Sequence, residues 1–470
     1  MSIPSSAEHK FHRLLLFACM ITAGYFAFYI TGYIGTQFRG WSYPMGTFLF
    51  APHDRYMDFF HINHMVAGRA PYVHGSSYPP FALALASIFA KIIPGTGILS
   101  AQDVRAQEVI GVHIIKGMYA GSALIASGLY GLSWIRREKE NAALLSEPGE
   151  NIDPANGNAT VHRRSYIKKA LLPTILFGIA LFFAAPAIFS FDRGNYLVLC
   201  VLALFFFAYF FDSHPIVSAL FLAAAASLKL YPLAFFLLFV QRRQWKALFV
   251  GLTGGFLVTL GSFALFEGSI RRNILLFLNN LLNFTGGLPD HHYFYYQHAV
   301  GVRTLISAPF FVFGDGVPAD FPIARWTSIA TLIVLVLVIV LCFLEKEMKR
   351  RVLYLTILMI LFPTPSFYYN LFFLLIPAYF FLTDKTFTRA DWCLLIAMAV
   401  LLVPKSYWFK TPVFLDIRVH ISIGPLMDAY IMAGILVGRL FVLTYERSIG
   451  RKRGKAKISE TCQVVTEDSL

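Results

Sequence analysis

Long apolar stretches alternate with short polar ones along almost the whole chain. The runs at 14–35, 109–135, 170–190, 195–211, 246–266, 327–343 and 422–444 are each long enough, or nearly so, to cross about 30 Å of hydrocarbon as a helix. Three other stretches break the pattern. The run 216–240 begins after FDSHP and ends at QRRQWK, and a single crossing would leave its ends on opposite sides. Its middle, SLKLYP, sets Lys229 deep in apolar sequence with Pro232 three residues on, so it reads as a re-entrant or broken hairpin. The stretch 352–382 is interrupted in the same way by LFPTPSFYYN, and 79–95 is short for a span and runs into Pro94 and Gly95. The expectation is an all-α polytopic membrane bundle of roughly ten to twelve whole or partial helices, with irregular backbone lining a site at membrane depth.

Composition agrees with this pattern: 57% of the 470 residues are hydrophobic and 16% aromatic, too little polar material to cover a water-soluble globule. The formal charge of +14 comes from 40 basic against 26 acidic residues, and much of the excess lies beside helix ends, where it sets topology. Arg136, Arg137 and Lys139; Arg163, Arg164, Lys168 and Lys169; Arg242, Arg243 and Lys246; Lys346, Lys349, Arg350 and Arg351; and the RKRGKAK tail all belong on the cytoplasmic side. Both termini are then cytoplasmic, and the 36–78 segment, the DRGN turn at 192, the 267–325 loop and the KSYWFKTP region fall outside. The first run, flanked by Lys10 and Arg13, lacks a cleavage site and reads as a retained anchor. The chain is read as one integral membrane domain, 1–445, followed by a basic tail, 446–470, with a flexible charged loop at 136–167. The tail abuts a span and serves as an anchor, so no nucleic-acid partner is expected. The five cysteines are scattered and imply neither a disulfide framework nor a zinc site.

The polar stretch after the first span, APHDRYMDFFHINHMVAGRAPY at 51–72, is dense in titratable groups. Asp54, Asp58 and His61 fall at i, i+4 and i+7 and share one helix face, with His64 a turn further on. Such a segment can simply be the wet face of an interfacial helix. It can equally hold a carboxylate tuned by partial burial to take a proton from a hydroxyl, with a histidine to orient it. A second concentration, LPDHHYFYYQHAVG at 288–301, brings histidines and aromatics together, suited to stacking on a sugar or prenyl chain, or to an interfacial belt.

Further along 51–81 the chain carries GRAPY and then YPPF. Together with Asp54 this stretch resembles the first extracytoplasmic loop of glycosyltransferase family 87, of the GT-C superfamily. Further matches follow in the family's order: DRGNY at 192, SLKLYP at 227 before RRQW at 242, QHAVGVRTL at 297 and PTPSFYYN at 363. The resemblance spans about residues 10–445, and two positions depart from it. Asp58 stands where an aromatic is usual, so either aspartate can be the base, and His298 stands where Gln, Asn or Ser is usual.

The resemblance implies inverting transfer of one sugar, a hexose with mannose as first guess, from a polyprenyl-phosphate carrier to a lipid or glycan acceptor. The reaction would take place at the outer side of the plasma (inner) membrane, without a metal or cofactor. Asp54 is the first candidate base and Asp58 the second. The leaving phosphate calls for positive charge, which assigns Lys229, Arg303 and Arg193 to the donor; Asp192 is an obvious ion-pair partner for Arg193. His61, Tyr78, His292, Gln297, His298 and Tyr369 are the expected acceptor or sugar contacts. A secondary transporter, or a flippase or polymerase of lipid-linked glycans, is the alternative function. A transporter is less expected because the polar residues concentrate in outer loops, above all 51–80.

Overall fold

The computed structural model describes residues 6–39, 56–92, 108–145, 158–286, 298–314, 317–318, 320–363, 366–405, 408–410, 413–414, 417–418 and 421–467. These residues form an all-helical bundle. In chain order the first helices are α1 Ser6–Arg39, α2 Met57–Ala67, α3 Pro80–Ile92, α4 Glu108–Leu145, α5 Asn158–Phe183, α6 Ala185–Arg193, α7 Leu197–Phe210 and α8 Pro215–Leu228. They are followed by α9 Phe236–Gln241, α10 Trp245–Phe263, α11 Ile270–Gly286, α12 Val302–Phe313, α13 Ile323–Leu344 and α14 Met348–Leu361. The last are α15 Leu375–Thr383, α16 Arg389–Leu402 and α17 Ile423–Glu467. Four strands of two or three residues, β1 Trp408–Lys410, β2 Val413–Phe414, β3 Ile417–Arg418 and β4 Ile421–Ser422, pair antiparallel as β1–β4 and β2–β3 between α16 and α17. Among the described residues they are the one departure from an all-α reading.

Among the described residues six helices are long and apolar enough to cross a membrane, within α1, α4, α5, α10, α13 and α17, and shorter apolar helices pack among them. The two breaks expected from Pro232 and from LFPTPS are both present. Helix α8 stops at Leu228, Lys229 is extended (φ −145°, ψ 131°), and a 3-10 turn, Tyr231–Phe235, leads into α9. The ends of this unit meet, because Arg242 Nη1 lies 2.7 Å from Asp212 Oδ1. The chain therefore goes in and returns as a hairpin with Lys229 at its tip. The second unit repeats the design: α14 runs to Leu361, a 3-10 turn, Tyr368–Leu374, leads back through α15, and Lys349 at the start pairs with Asp384 at the end at 3.1 Å.

Charged ends gather at the base of both hairpins. Asp212 also faces Arg137 at 3.8 Å, Glu140 pairs with Arg136 and Lys385, and Arg13 donates to the Asp384 carbonyl. A buried network, Arg439–Glu345–Arg350–Asp391–Lys349, ties α17, the α13–α14 junction and the capping box of α16 together. At 1.5 Å per residue each 14-residue outward leg carries its tip about 21 Å from this end. Helix α8 lies close against α10 because its neighbour there is Gly251, where a Cβ would fall 2.9 Å from Ala219 Cβ and 3.0 Å from its carbonyl.

Two boundaries differ from the sequence expectation. The charged segment 136–167 is largely helical at both ends: α4 continues to Leu145 and α5 starts at Asn158. RREKENAALL is made of good helix formers and carries the Arg136–Glu140 pair at i, i+4. The basic tail likewise continues α17 as helix to Glu467.

Candidate functional site

The tips of the two hairpins come together below α2, and the side chains they carry face Asp58. Helix α2 buries Phe59, Phe60, Ile62, Asn63 and Val66, so it is packed into the bundle and does not lie on its surface. Phe59 stacks on Tyr196 at 5.7 Å, and the Tyr56 amide donates to the Asp192 carbonyl at 2.7 Å. This turns Asp58 inward, with its side chain 14% exposed.

The DRGN turn supplies both partners of that carboxylate. Arg193 Nη2 lies 2.7 Å from Asp58 Oδ1, and Asn195 Nδ2 lies 2.7 Å from Oδ2. Gly194 between them ends α6 in the left-handed region (φ 65°), and a Cβ there would lie 2.9 Å from Phe59 Cβ. Only glycine fits both the conformation and the contact. Behind the turn, Tyr119 Oη donates to the Asn195 carbonyl at 2.9 Å and shares a 2.7 Å hydrogen bond with Ser190 Oγ, while Asn195 Oδ1 accepts from the Leu197 amide. Arg193 thus pairs across the fold with Asp58, where its neighbour Asp192 was the expected partner.

Lys229 lies at the tip of the first hairpin, its Nζ 5.1 Å from the Tyr78 ring and 5.8 Å from the Tyr369 ring. Cation–π contact lets the ammonium sit there without a carboxylate, and none of the described carboxylates forms an ion pair with it. Tyr369, on the second tip, stacks on Phe189 at 6.0 Å, and Phe189 also meets His298 at 5.1 Å. The 298–301 segment is clipped to that tip by the Tyr368 amide on the His298 carbonyl (2.6 Å) and the Val300 amide on the Ser366 carbonyl (2.8 Å).

The electrostatics follow from burial. Burial pushes the Asp58 carboxyl up to about 6, against the Asn195 hydrogen bond and the Lys229 charge, which favour its ionised form. At neutral pH it is a carboxylate of raised basicity. Burial and the Arg193 charge push the His298 imidazole down to about 4, so it is neutral. Burial, and then the Asp58 charge, hold the Tyr78 hydroxyl well above its usual range, so it can donate but does not ionise.

Of the residues singled out from sequence, Asp58, Arg193, Lys229, Tyr78, Tyr369 and His298 converge here. His61 lies on α2 but is exposed. Arg303 is buried in the first turn of α12. Asp54, His292 and Gln297 lie outside the described residues. Helix α2 begins at Met57, after Tyr56 in the left-handed region (φ 61°), and carries Asp58 and His61. Sequence reasoning did not single out Asn195, Tyr119 or Ser190; Asn195 sits inside the DRGNY motif, and that was its signal.

One carboxylate on α2, one cation on the DRGN turn, a second cation on a hairpin tip and a neutral imidazole clipped to the other tip, inside a membrane bundle, define a polytopic membrane protein with a polar site at the end away from the charged base of its hairpins. The family model of glycosyltransferase family 87 matches residues 77–365, more than half of the chain, and the chain belongs to that family. It is a membrane glycosyltransferase. The matched segment contains Tyr78, Arg193, Lys229 and Arg303 and excludes α2 with Asp58 as well as Tyr369. No curated protein and no solved structure matches the chain.

Proposed function

We propose that this glycosyltransferase is of the GT-C type and moves one sugar, with inversion, from a polyprenyl-phosphate carrier to an acceptor hydroxyl on the outer side of the plasma (inner) membrane. The observation that carries the reading is the meeting of an ionised, largely buried carboxylate, Asp58, with Arg193 of the DRGN turn and with Lys229 at the first hairpin tip. A phosphate ester leaves as a stable anion, so it needs cations and no strong acid. An alcohol acceptor needs a base within reach of its proton.

In this mechanism Asp58 takes the acceptor proton while the acceptor oxygen bonds to the anomeric carbon and the bond from that carbon to the phosphate oxygen breaks. The developing charge passes from Asp58 through the sugar to the phosphate, which Lys229 and Arg193 receive. Asp54 is the rival for the base. Asp58 is preferred because its burial, its raised basicity and its two hydrogen-bond donors are those of a positioned base. Tyr78, Tyr369 and neutral His298 supply sugar and acceptor contacts, and Arg303, buried in the first turn of α12, is a further cation for the donor phosphate. Gathering of the basic termini at the opposite end supports a cytoplasmic base and an extracytoplasmic site.

The test is reconstitution of the protein with a panel of radiolabelled polyprenyl-phosphate sugars, mannose first by analogy, and membrane lipid extracts as acceptors. A labelled product with the anomeric configuration opposite to the donor is expected. Transfer from nucleotide sugars alone, or retention of configuration, would refute the proposal.

A further inference from the structure

We propose that α11 is an interfacial helix that binds the phosphodiester headgroup of an anionic membrane phospholipid at the site end of the bundle, through Arg271 and Arg272. Helix α10 begins at Trp245, beside the Arg242–Asp212 base, and its 19 residues rise about 28 Å. Helix α11 therefore lies at the end that carries the site, after a turn at Gly268 (φ 94°). Its two faces differ. The inner face packs Phe277 against Tyr72 at 5.8 Å, and Asn280 Nδ2 donates to the carbonyls of Tyr72 (2.8 Å) and Ser76 (3.1 Å). That turn ends two residues before Tyr78, which stands over Lys229.

The outer face is a stripe of leucines at i, i+3 and i+7. Leu275 is 58% exposed, Leu278 46% and Leu282 70%. Beside it lies an open hollow of about 490 Å³ lined by Ser269, Arg271, Arg272, Leu275, Leu276 and Asn279. Neither arginine forms an ion pair among the described residues, Glu267 included. Two guanidinium groups, a hydroxyl and an amide above an apolar stripe match a phosphate held over acyl chains. Guanidinium groups bind phosphate through paired N–H donors, and basic residues near an anionic surface add attraction that neutral lipid cannot supply. The bound lipid would brace the Tyr72–Ser76 turn from outside and so steady Tyr78.

The inference depends on the proposed function only for which membrane face is involved, and its test reads binding without turnover. Full-length protein in detergent is titrated with phosphatidylglycerol, phosphatidylcholine, polyprenyl monophosphate or inorganic phosphate, and bound lipid is counted by native mass spectrometry. Phosphatidylglycerol is expected to outbind phosphatidylcholine. Its affinity should fall about thirtyfold in the Arg271→Gln, Arg272→Gln double variant, partly recover with lysine at both positions, and be unchanged in Lys229→Met. Inorganic phosphate should not displace it. Equal binding of the two phospholipids, unaltered binding in a glutamine double variant of normal thermal stability, or displacement by polyprenyl monophosphate in Lys229→Met would overturn the proposal.

Discussion

Replacing Gly194 with alanine perturbs one atom at the centre of the site. Two costs follow. An alanine at φ 65° pays about 1–2 kcal/mol for the left-handed conformation. Its Cβ would also lie 2.9 Å from Phe59 Cβ, 3.2 Å from Tyr56 Cα and 3.3 Å from Ile115 Cδ1, and overpacking of this kind costs a further ~1–3 kcal/mol. Gly75 provides the control: its φ is 82°, yet nothing lies within 4 Å of a Cβ there, so Gly75→Ala pays the conformational cost alone. The clash in Gly194→Ala is relieved by moving the turn away from α2, which draws Arg193 and Asn195 off Asp58. Misplacement of about 1 Å costs transfer about a hundredfold. The assay compares thermal unfolding and sugar transfer of both variants in nanodiscs. Gly75→Ala should lose a little stability and keep its activity, and Gly194→Ala should lose more stability and nearly all activity. Equal stability and equal activity in the two variants would refute the account of the turn.

Three further outcomes follow from the same geometry. The Asp58 carboxyl titrates near 6, and a base works only when deprotonated, so kcat/KM should rise with pH up to about 6 and level off above it; a profile flat from pH 5 to 7 would contradict this. Lys229→Met removes the cation proposed to receive the donor phosphate, so steady-state kinetics should show a donor KM raised at least tenfold and an acceptor KM little changed. Glu345 is 3% exposed and pairs with both Arg350 and Arg439; Arg350 keeps Asp391, but Glu345→Ala leaves the buried Arg439 without its carboxylate and should cost about 3–5 kcal/mol in chemical unfolding. The Glu345→Met, Arg439→Met pair should cost less than the single change.

The path of the chain was more legible in the sequence than the contacts of the site. Pro232 and LFPTPS mark the two breaks, because proline removes a donor and clashes with the preceding turn. What closes each hairpin was also written locally, as Asp212 before and Arg242 after one unit and Lys349 before and Asp384 after the other. The partner of Arg193 was not. Asp192 is adjacent in sequence, but the turn aims Arg193 across the fold at a carboxylate 135 positions away, and no periodicity reports such a contact. Helical spacing grouped Asp54, Asp58 and His61 on one face; Asp58 and His61 lie on α2, and Asp54 lies outside the described residues. Tyr119 and Ser190 sit inside apolar helices, where a hydroxyl gives no sign of its role until the turn is folded against it.

The central claim is that Asp58 takes the acceptor's proton, and Asp58→Asn tests it most directly because the amide keeps the shape and loses the basicity. In purified, reconstituted protein given polyprenyl-phosphate mannose, or whichever carrier-linked sugar proves to be the donor, single-turnover transfer should fall at least a thousandfold in Asp58→Asn while donor binding stays within a few-fold of wild type. Asp54→Asn should retain most of its activity. Full transfer in Asp58→Asn, with loss in Asp54→Asn, would move the base to the other aspartate and contradict the mechanism.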